Sequence, residues 1–565
     1  MNYDSDVWLK SYDDWVEPDV DVQQIPLAEY FEKRWQGYYH RPAINFLGTQ
    51  MTYDDINQIA RQFAEGLSSL GLGKGDVIAI HMPNLPQFLI ATLGALKIGC
   101  LVSGVSPLLT PKEVKAQLND CEAKLLVIMD ILFEPKLVPI KDELPHLKHL
   151  LTVNVADYLP RIKKCIGRLL KKIPHGKTQP ILGKEINSFT RFCARYDGKP
   201  PKIKIAPEDP CFLVYTGGTT GPAKGATLTN ANAVSSLIMA KTWVEPSMGK
   251  ERALTVFPLF HVGGLITSFI TMNCAGEQTL IPNPRDTKAV IKEWKALKPT
   301  YGVMAPSLFT LLLEDDDFHQ IDFSSMKYCY TGSAPFSVES LNQVEKLIGV
   351  NKITEAYGMT ENCGASTANP LKGKKKPGSV GLPYPSTLVK IVDLETGLNE
   401  MPLGEPGELI VHGPQVMMGY HKKPDETKLV LREHEGKTYL HTGDVAYMDE
   451  DGYLWIVDRV KDMLIVGGYK VFSSELESQF YTNPAVKFCA IIGVPNPDRP
   501  GSELVKLMVQ KCENHRNLDD DILKKELGSY AKENMAPYKV PKMIEIIESM
   551  PLTPVGKVDK KALRK

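Results

Sequence analysis

The sequence predicts an α/β protein, with a large N-terminal α/β domain of parallel sheets, a β-rich subdomain, and a small α+β C-terminal domain. Three observations predict it. Short apolar runs alternate with helical patterns through most of the chain, which implies sheets layered with crossover helices. Near Pro402 the texture shifts to short strand-like runs separated by Gly, Pro and Asp. The 565 residues also exceed what one hydrophobic core holds.

Taken in order, residues 56–70 and 289–297 repeat apolar side chains at helical spacing and read as amphipathic helices. Residues 77–80, 125–128, 211–215 and 254–257 are short apolar runs and read as strands. Residues 88–109 form the longest apolar stretch, but Lys97, three glycines, two serines and Pro107 interrupt it. A bilayer span wants about 20 nearly uninterrupted apolar residues, so this stretch predicts a buried helix, a turn and a strand. Residues 408–411 and 453–457 predict the strands of the β-rich subdomain. Beyond Asp462 the pattern is that of a small α+β unit.

One segment stands apart. Leu159, Ile162, Ile166, Leu169, Leu170 and Ile173 recur at helical spacing, and Arg161, Lys163, Lys164, Arg168, Lys171 and Lys172 lie between them. This predicts a basic amphipathic helix over 159–173, ended by Pro174 and weakened by Gly167. Two readings fit. The helix lies on an anionic membrane surface, or it packs on its own domain with a solvated basic face.

Hydrophobic content of 43%, charged content of 24% and a net charge of −1 are ordinary for a globular protein, and no nucleic acid is expected as a partner. The ten cysteines include no Cys-x-x-Cys pair and the twelve histidines form no close cluster, so neither structural zinc nor a disulfide framework is expected. The first thirty residues hold many aspartates and no apolar core segment, unlike a secretory signal. A cytoplasmic setting is expected, with peripheral contact at the inner face of a membrane if residues 159–173 dock there. Oligomeric state is left open, a homodimer included.

The chemistry begins after residues 211–215. Tyr215-Thr216-Gly217-Gly218-Thr219-Thr220-Gly221-Pro222-Ala223-Lys224-Gly225 packs four glycines, three threonines and a lysine into one loop. Free N–H groups, hydroxyls and a cation at the end of a strand suit a polyphosphate. The spacing is not that of a Walker loop, because Gly225 follows Lys224 where a Ser or Thr would help hold magnesium.

The loop resembles the phosphate loop of adenylate-forming (AMP-binding) enzymes: acyl-CoA synthetases, luciferases and peptide-synthetase adenylation domains. Four further stretches match the family in order and spacing: Tyr357-Gly-Met-Thr-Glu361, Tyr439-Leu-His-Thr-Gly-Asp444, Asp458-Arg-Val-Lys-Asp462 and Pro554-Val-Gly-Lys557. The resemblance covers nearly the whole chain. It implies an AMP-binding domain over 1–458, a hinge at 459–461 and a C-terminal domain over 462–565 that rotates between two half-reactions. It implies ATP and Mg2+ as cofactors, with coenzyme A as co-substrate.

The resemblance also implies roles. Thr216 and Glu361 hold the metal. Gly217, Gly218, Thr219, Thr220, Gly221 and Lys224 surround the β and γ phosphates, and Thr360 bonds the α-phosphate. Tyr357 stacks on adenine, with Gly332, Ala334, Pro335, Glu355 and Ala356 around it. Asp444 accepts from the ribose hydroxyls, and Arg459 and Lys461 reach in from the hinge. Lys557 bridges carboxylate and α-phosphate, His261 lies by the substrate carboxyl group, and Gly467 and Gly468 line the thiol path.

Residues 281–286, 413–420, 457–459 and 461–463 resemble those of long-chain fatty-acid–CoA ligases. The surroundings of His261 are apolar, with no Arg or Asp to meet an amino-acid substrate. The expected partners are therefore a fatty acid, ATP and coenzyme A. The alternatives are a medium-chain or aryl-acid CoA ligase, a luciferase-like oxidative enzyme, and a non-catalytic acyl-binding protein.

Overall fold

The computed structural model describes residues 6–170, 173–181, 183–216, 223–334, 336, 338–364, 366–467, 469–497, 499, 502–553 and 557–564, with the side chains of Asp6, Arg161 and Arg168 excepted. Among them, one eight-stranded sheet runs in the spatial order Gly419–Tyr420, Lys224–Thr229, Pro210–Thr216, Leu101–Val105, Val77–His81, Leu125–Met129, His149–Val153 and Glu185–Ser188. The six strands from Pro210–Thr216 to Glu185–Ser188 pair in parallel. Val77–His81 and Leu125–Met129 are buried at every position. That is why they read as continuous apolar runs: helices cover both faces of such a sheet.

A nine-stranded sheet is its counterpart. Its parallel core is Ile353–Tyr357, Tyr328–Thr331, Tyr301–Met304, Arg252–Thr255, Glu277–Leu280 and Pro42–Phe46. Helix Tyr53–Ser69 starts at a capping box, in which Thr52 Oγ1 accepts from the Asp55 N–H and Asp55 Oδ2 from the Thr52 N–H. Helix Pro86–Lys97 begins with proline, whose missing N–H needs no partner at that position, and it is buried from Pro86 to Leu96. A Cβ at Gly94 would come within 2.6 Å of the Ala60 carbonyl oxygen, so glycine is what lets these two helices touch.

The buried side chain of Asn84 joins the two sheets. Its Nδ2 donates to the carbonyls of Thr255 (3.1 Å) and Phe257 (2.9 Å), and its Oδ1 accepts from the Leu259 N–H at 2.8 Å. The strand expected at 254–257 accordingly lies two residues earlier, at Arg252–Thr255, and leaves the sheet where Asn84 takes over its backbone groups. The departing segment presses against the other sheet: a Cβ at Gly104 would meet Phe260 Cα at 2.7 Å.

The β-rich part is an antiparallel sheet of Leu388–Val392, Gly407–His412, Lys437–Met448, Leu431–His434 and Leu454–Arg459. Hairpin Leu464–Val466/Tyr469–Val471 follows, then a three-stranded sheet of Val486–Pro495, Glu503–Lys511 and Met543–Ile546 with helices Ser473–Phe480 and Asp520–Asn534. These last elements pack around a core of their own that includes Leu476, Phe480, Ile491, Leu507 and Leu523. The protein is thus a large N-terminal α/β unit with a smaller C-terminal one.

Two expectations change. The basic helix is shorter than 159–173, running from Arg161 to Leu169. It stops because the chain turns back: the Ile173 N–H donates to the Gly167 carbonyl, and the Ile173 side chain occupies the space a Cβ on Gly167 would need. Nor is its apolar side packed on its own domain, since Ile162, Ile166, Leu169 and Leu170 are exposed. Among the described residues, no helix is long and apolar enough to cross a membrane.

The Asn84 contacts give a direct test. Asn84→Ala takes the amide partner from the Phe257 carbonyl and the Leu259 N–H, each unpaired group costing about 1–3 kcal/mol, while the Thr255 carbonyl keeps the Ile281 N–H. The thermal midpoint of the variant should drop by several degrees; a midpoint equal to wild type would remove Asn84 as a link between the sheets.

Candidate active site

The candidate residues converge where strand ends of the nine-stranded sheet meet the β-rich sheet. Tyr357 closes strand Ile353–Tyr357, while Asp444 and Arg459 face each other on paired antiparallel strands. The Asp444 side chain is buried. Its Oδ1 lies 2.9 Å from Arg459 Nε, and its Oδ2 accepts from the Tyr357 hydroxyl at 2.5 Å. Burial, reinforced by the Asp444 charge, holds the Tyr357 phenol far above its usual range. The same carboxylate raises Arg459. The Asp444 N–H is satisfied by Thr442 Oγ1. Each carboxylate oxygen has a second lone pair, so these contacts leave acceptor capacity for a further donor.

Glu355 and Ala356 precede Tyr357 in the same strand. A Cβ at Gly332 would fall 2.4 Å from the Ala356 carbonyl oxygen, so only glycine lets these strand ends lie together. Ser333 follows in a left-handed conformation (φ 71°) and Ala334 is half-buried. Burial pushes the Glu355 carboxyl up to about 7, against the N–H that Gly378 donates to it at 2.8 Å. Pro335 lies outside the described residues.

Thr360 and Glu361 sit buried in the 3-10 turn Thr360–Asn362. The Tyr420 hydroxyl donates to Glu361 Oε1 at 2.7 Å, and the Met417 N–H to the Glu361 carbonyl. Across the cleft, Thr216 and Lys224 are register partners on antiparallel strands, and Thr216 Oγ1 donates to the Lys224 carbonyl at 3.4 Å. Gly217, Gly218, Thr219, Thr220 and Gly221 lie outside the described residues. Lys224 Nζ is ion-paired with Glu426 and stands 5.1 Å from the centre of the Tyr420 ring. Tyr420 therefore links Glu361 to Lys224.

Lys557 enters this cluster from the C-terminal unit. Its ammonium is lowered to about 8, first by burial and then by the charges of Arg459 and Lys461, with Asp444 and Glu361 opposing them. Its charge also acts on His261. That imidazole is pushed down to about 4, first by burial and then by Lys557. His261 caps helix Val262–Asn273, its Nδ1 accepting from the Gly263 N–H at 3.1 Å, so the ring is neutral with its proton on Nε2. Lys461 is likewise lowered by burial and by Arg459. Lys557 is held at its backbone: its N–H donates to Thr553 Oγ1, and its carbonyl accepts from the Thr553 N–H.

The tail beyond Lys557 is tied to the start of the C-terminal unit. Lys560 Nζ lies 2.7 Å from Glu477 and donates to Ser473 Oγ at 2.7 Å. Ser473 in turn donates to Asp458 through its N–H and through its Oγ (3.1 Å). Arg564 donates to Asp462 at 2.8 Å. Gly467 lies in this region with φ 62°, its N–H bonded to Ser502 Oγ, whereas Gly468 lies outside the described residues.

The structure thus brings Tyr357, Glu361, Asp444, Arg459, Lys461, Lys557 and His261 within electrostatic or hydrogen-bonding reach of one another. Tyr420 and Glu426 are the additions. Tyr420 closes the glycine-containing stretch 413–420, and an aromatic after glycine was the one available signal. Glu426 gave none, because an acidic residue in the first turn of helix Pro424–Val430 also suits the helix dipole.

Comparison with known proteins agrees with this geometry. Residues 31–421 match the family model for the AMP-binding enzyme, and residues 475–557 that for the AMP-binding enzyme C-terminal domain. A long-chain-fatty-acid–CoA ligase of Escherichia coli O6:H1 is 36% identical over 99% of this chain and 98% of its own length. The crystal structure of the anthranilate CoA ligase AuaEII in complex with anthranoyl-AMP superposes with a TM-score of 0.82, at 25% identity, over 96% of this chain and 97% of that one. ATP-bound MatB from Rhodopseudomonas palustris gives 0.81, again at 25% identity, over 96% and 98%. With both family models matched in order and the motif residues gathered around one cleft, the chain belongs to the AMP-binding enzyme family.

Proposed function

We propose that this chain is an ATP-dependent acid–thiol ligase that joins a long-chain fatty acid to coenzyme A through an acyl-AMP intermediate. The observation that supports it best is the convergence of Lys557 with Arg459 and Lys461 on the one side and Asp444 and Glu361 on the other. In the first half-reaction a carboxylate oxygen attacks the α-phosphorus and the bond to pyrophosphate breaks. Both reactants are anionic, so positioning and cations do the work. Lys557 bridges them, and Arg459 and Lys461 strengthen the local positive field. His261, neutral with its proton on Nε2, meets the carboxyl group as a hydrogen-bond donor. The apolar stretch around it suits an acid without polar substituents.

In the same reading Asp444 takes the ribose hydroxyls on its remaining lone pairs, and Tyr357 with Gly332, Ala334, Glu355 and Ala356 encloses the adenine. Lys224 exchanges Glu426 for the terminal phosphates, beside Thr216 and the stretch 217–221. Magnesium fits the donor set, since the buried Glu361 carboxylate and the Thr216 hydroxyl are hard oxygen ligands that leave room for phosphate and water; once bound, it would offset phosphate charge. For the second half-reaction the unit over 462–565 turns about 459–461 and withdraws Lys557. The thiol sulfur then reaches the acyl carbonyl past Gly467 and Gly468, and the bond to AMP breaks. Contact with a membrane, where long acyl chains reside, belongs to the same reading.

Pyrophosphate release across fatty acids of increasing length, with and without coenzyme A, tests the substrate class. The highest kcat/KM should fall on long chains; a preference for aryl or medium-chain acids would replace that assignment, and no release with any acid would overturn the activity. Lys557→Ala should cut acyl-AMP formation about a hundredfold or more, yet spare thioester formation from supplied acyl-AMP. Equal losses in both halves would mean that Lys557 is not specific to the first. Glu361→Gln should raise the magnesium concentration needed for half-maximal adenylation without lowering the thermal midpoint. An unchanged magnesium titration would take Glu361 out of the metal site.

A further inference from the structure

Helix Arg161–Leu169 sits on the surface the wrong way round for a helix packed on its own domain. Ile162 is 74% exposed, Ile166 52%, Leu169 83% and Leu170 56%. These positions follow i, i+4, i+7 and i+8, which is one stripe of a helix, and a surface helix ordinarily turns that stripe toward the core. The polar side is what anchors this helix: Lys164 Nζ donates to the Asp157 carbonyl at 2.6 Å, and Lys163 Nζ to the carbonyls of Leu47 and Gly48 at 3.4 and 3.3 Å. Those two residues form the tip of the hairpin between Pro42–Phe46 and Thr49–Thr52, where Leu47 is itself 45% exposed. Two separate elements therefore present apolar side chains beside lysines.

The charge pattern selects what can cover this face. Residues 161–172 hold six basic side chains and no acidic one, in a chain whose net charge is −1. A second copy would bring two such clusters together and be repelled. A bilayer with anionic headgroups accepts both halves of the pattern, apolar side chains among the acyl chains and cations at the phosphates.

We propose that this face docks the protein on an anionic lipid bilayer, with Ile162, Ile166, Leu169 and Leu170 entering the acyl boundary and Leu47 beside them. The purpose rests on the proposed activity, because long fatty acids partition into bilayers and a docked ligase meets them at high local concentration. The docking itself does not depend on that activity.

The test is co-sedimentation of the full chain with vesicles of phosphatidylcholine alone and of phosphatidylcholine with an equal part of phosphatidylglycerol. Wild type should bind the anionic vesicles about tenfold or more tightly than the neutral ones, and added salt should release it as the Debye length shrinks. The triple variant Ile162→Ser, Ile166→Ser, Leu169→Ser changes only exposed side chains and should lose at least about tenfold of that binding. Replacing Arg161, Arg168, Lys171 and Lys172 with glutamine, which keeps the anchoring Lys163 and Lys164, should abolish the anionic preference. Equal binding to both vesicles, or variants that bind as wild type does, would overturn the proposal. So would a wild-type dimer that ignores vesicles and is dissolved by the triple variant, since the occupant would then be a second copy. Ligase activity is assayed in parallel on a water-soluble acid without vesicles. Its absence with docking intact would count against the activity and leave the docking supported.

Discussion

A buried carboxylate organises the centre of this molecule. Asp444 is only 3% exposed, and an uncompensated charge there would cost several kcal/mol. Compensation comes from Arg459 on the neighbouring strand and from Tyr357 at the end of a different sheet. One anion thereby fixes the β-rich sheet against the nine-stranded sheet and sets the direction in which the chain leaves toward Asp462. The placement of Lys557 follows from that exit, because the tail beyond it is bound to Asp462 through Arg564 and to Ser473 and Glu477 through Lys560. Loss of the Asp444 charge would disturb all three bodies together.

The parts of the fold legible in the sequence are those where burial alone sets the pattern. Strands Val77–His81 and Leu125–Met129 are buried along their whole length, and helix Tyr53–Ser69 announces itself by its period, though its Thr52 cap and first turn precede the 56–70 that the period marks. The strand near residue 254 was displaced by two residues because its end is decided by Asn84, which comes from another sheet and leaves no local mark. The short helix after Pro160 is a similar case. Its amphipathic period is plain, but its length depends on Ile173 folding over Gly167, and which side faces water is a tertiary choice.

At the candidate site, motif residues stood out because they combine glycine, hydroxyl and charge in short stretches. Tyr420 stood out only as the aromatic that ends stretch 413–420 and Glu426 not at all, since each acts through a partner far away in sequence. The close approach of Gly332 to Ala356 was equally invisible. Glycine density marks a loop; it does not tell which backbone atom the missing Cβ makes room for.

The bonds from Ser473 to Asp458 run across residues 459–461, one partner on each side. The proposed turn of the C-terminal unit about those residues would break them. Burial already holds the Asp458 carboxyl above its usual range, so in the turned state that group either meets water or finds new donors. The arrangement seen here is thus latched rather than merely rested in. In the proposed turn this two-residue contact would be strained first, so its release would set a barrier on the exchange between half-reactions. The speed of that proposed exchange would then depend on how readily one carboxylate changes its solvation.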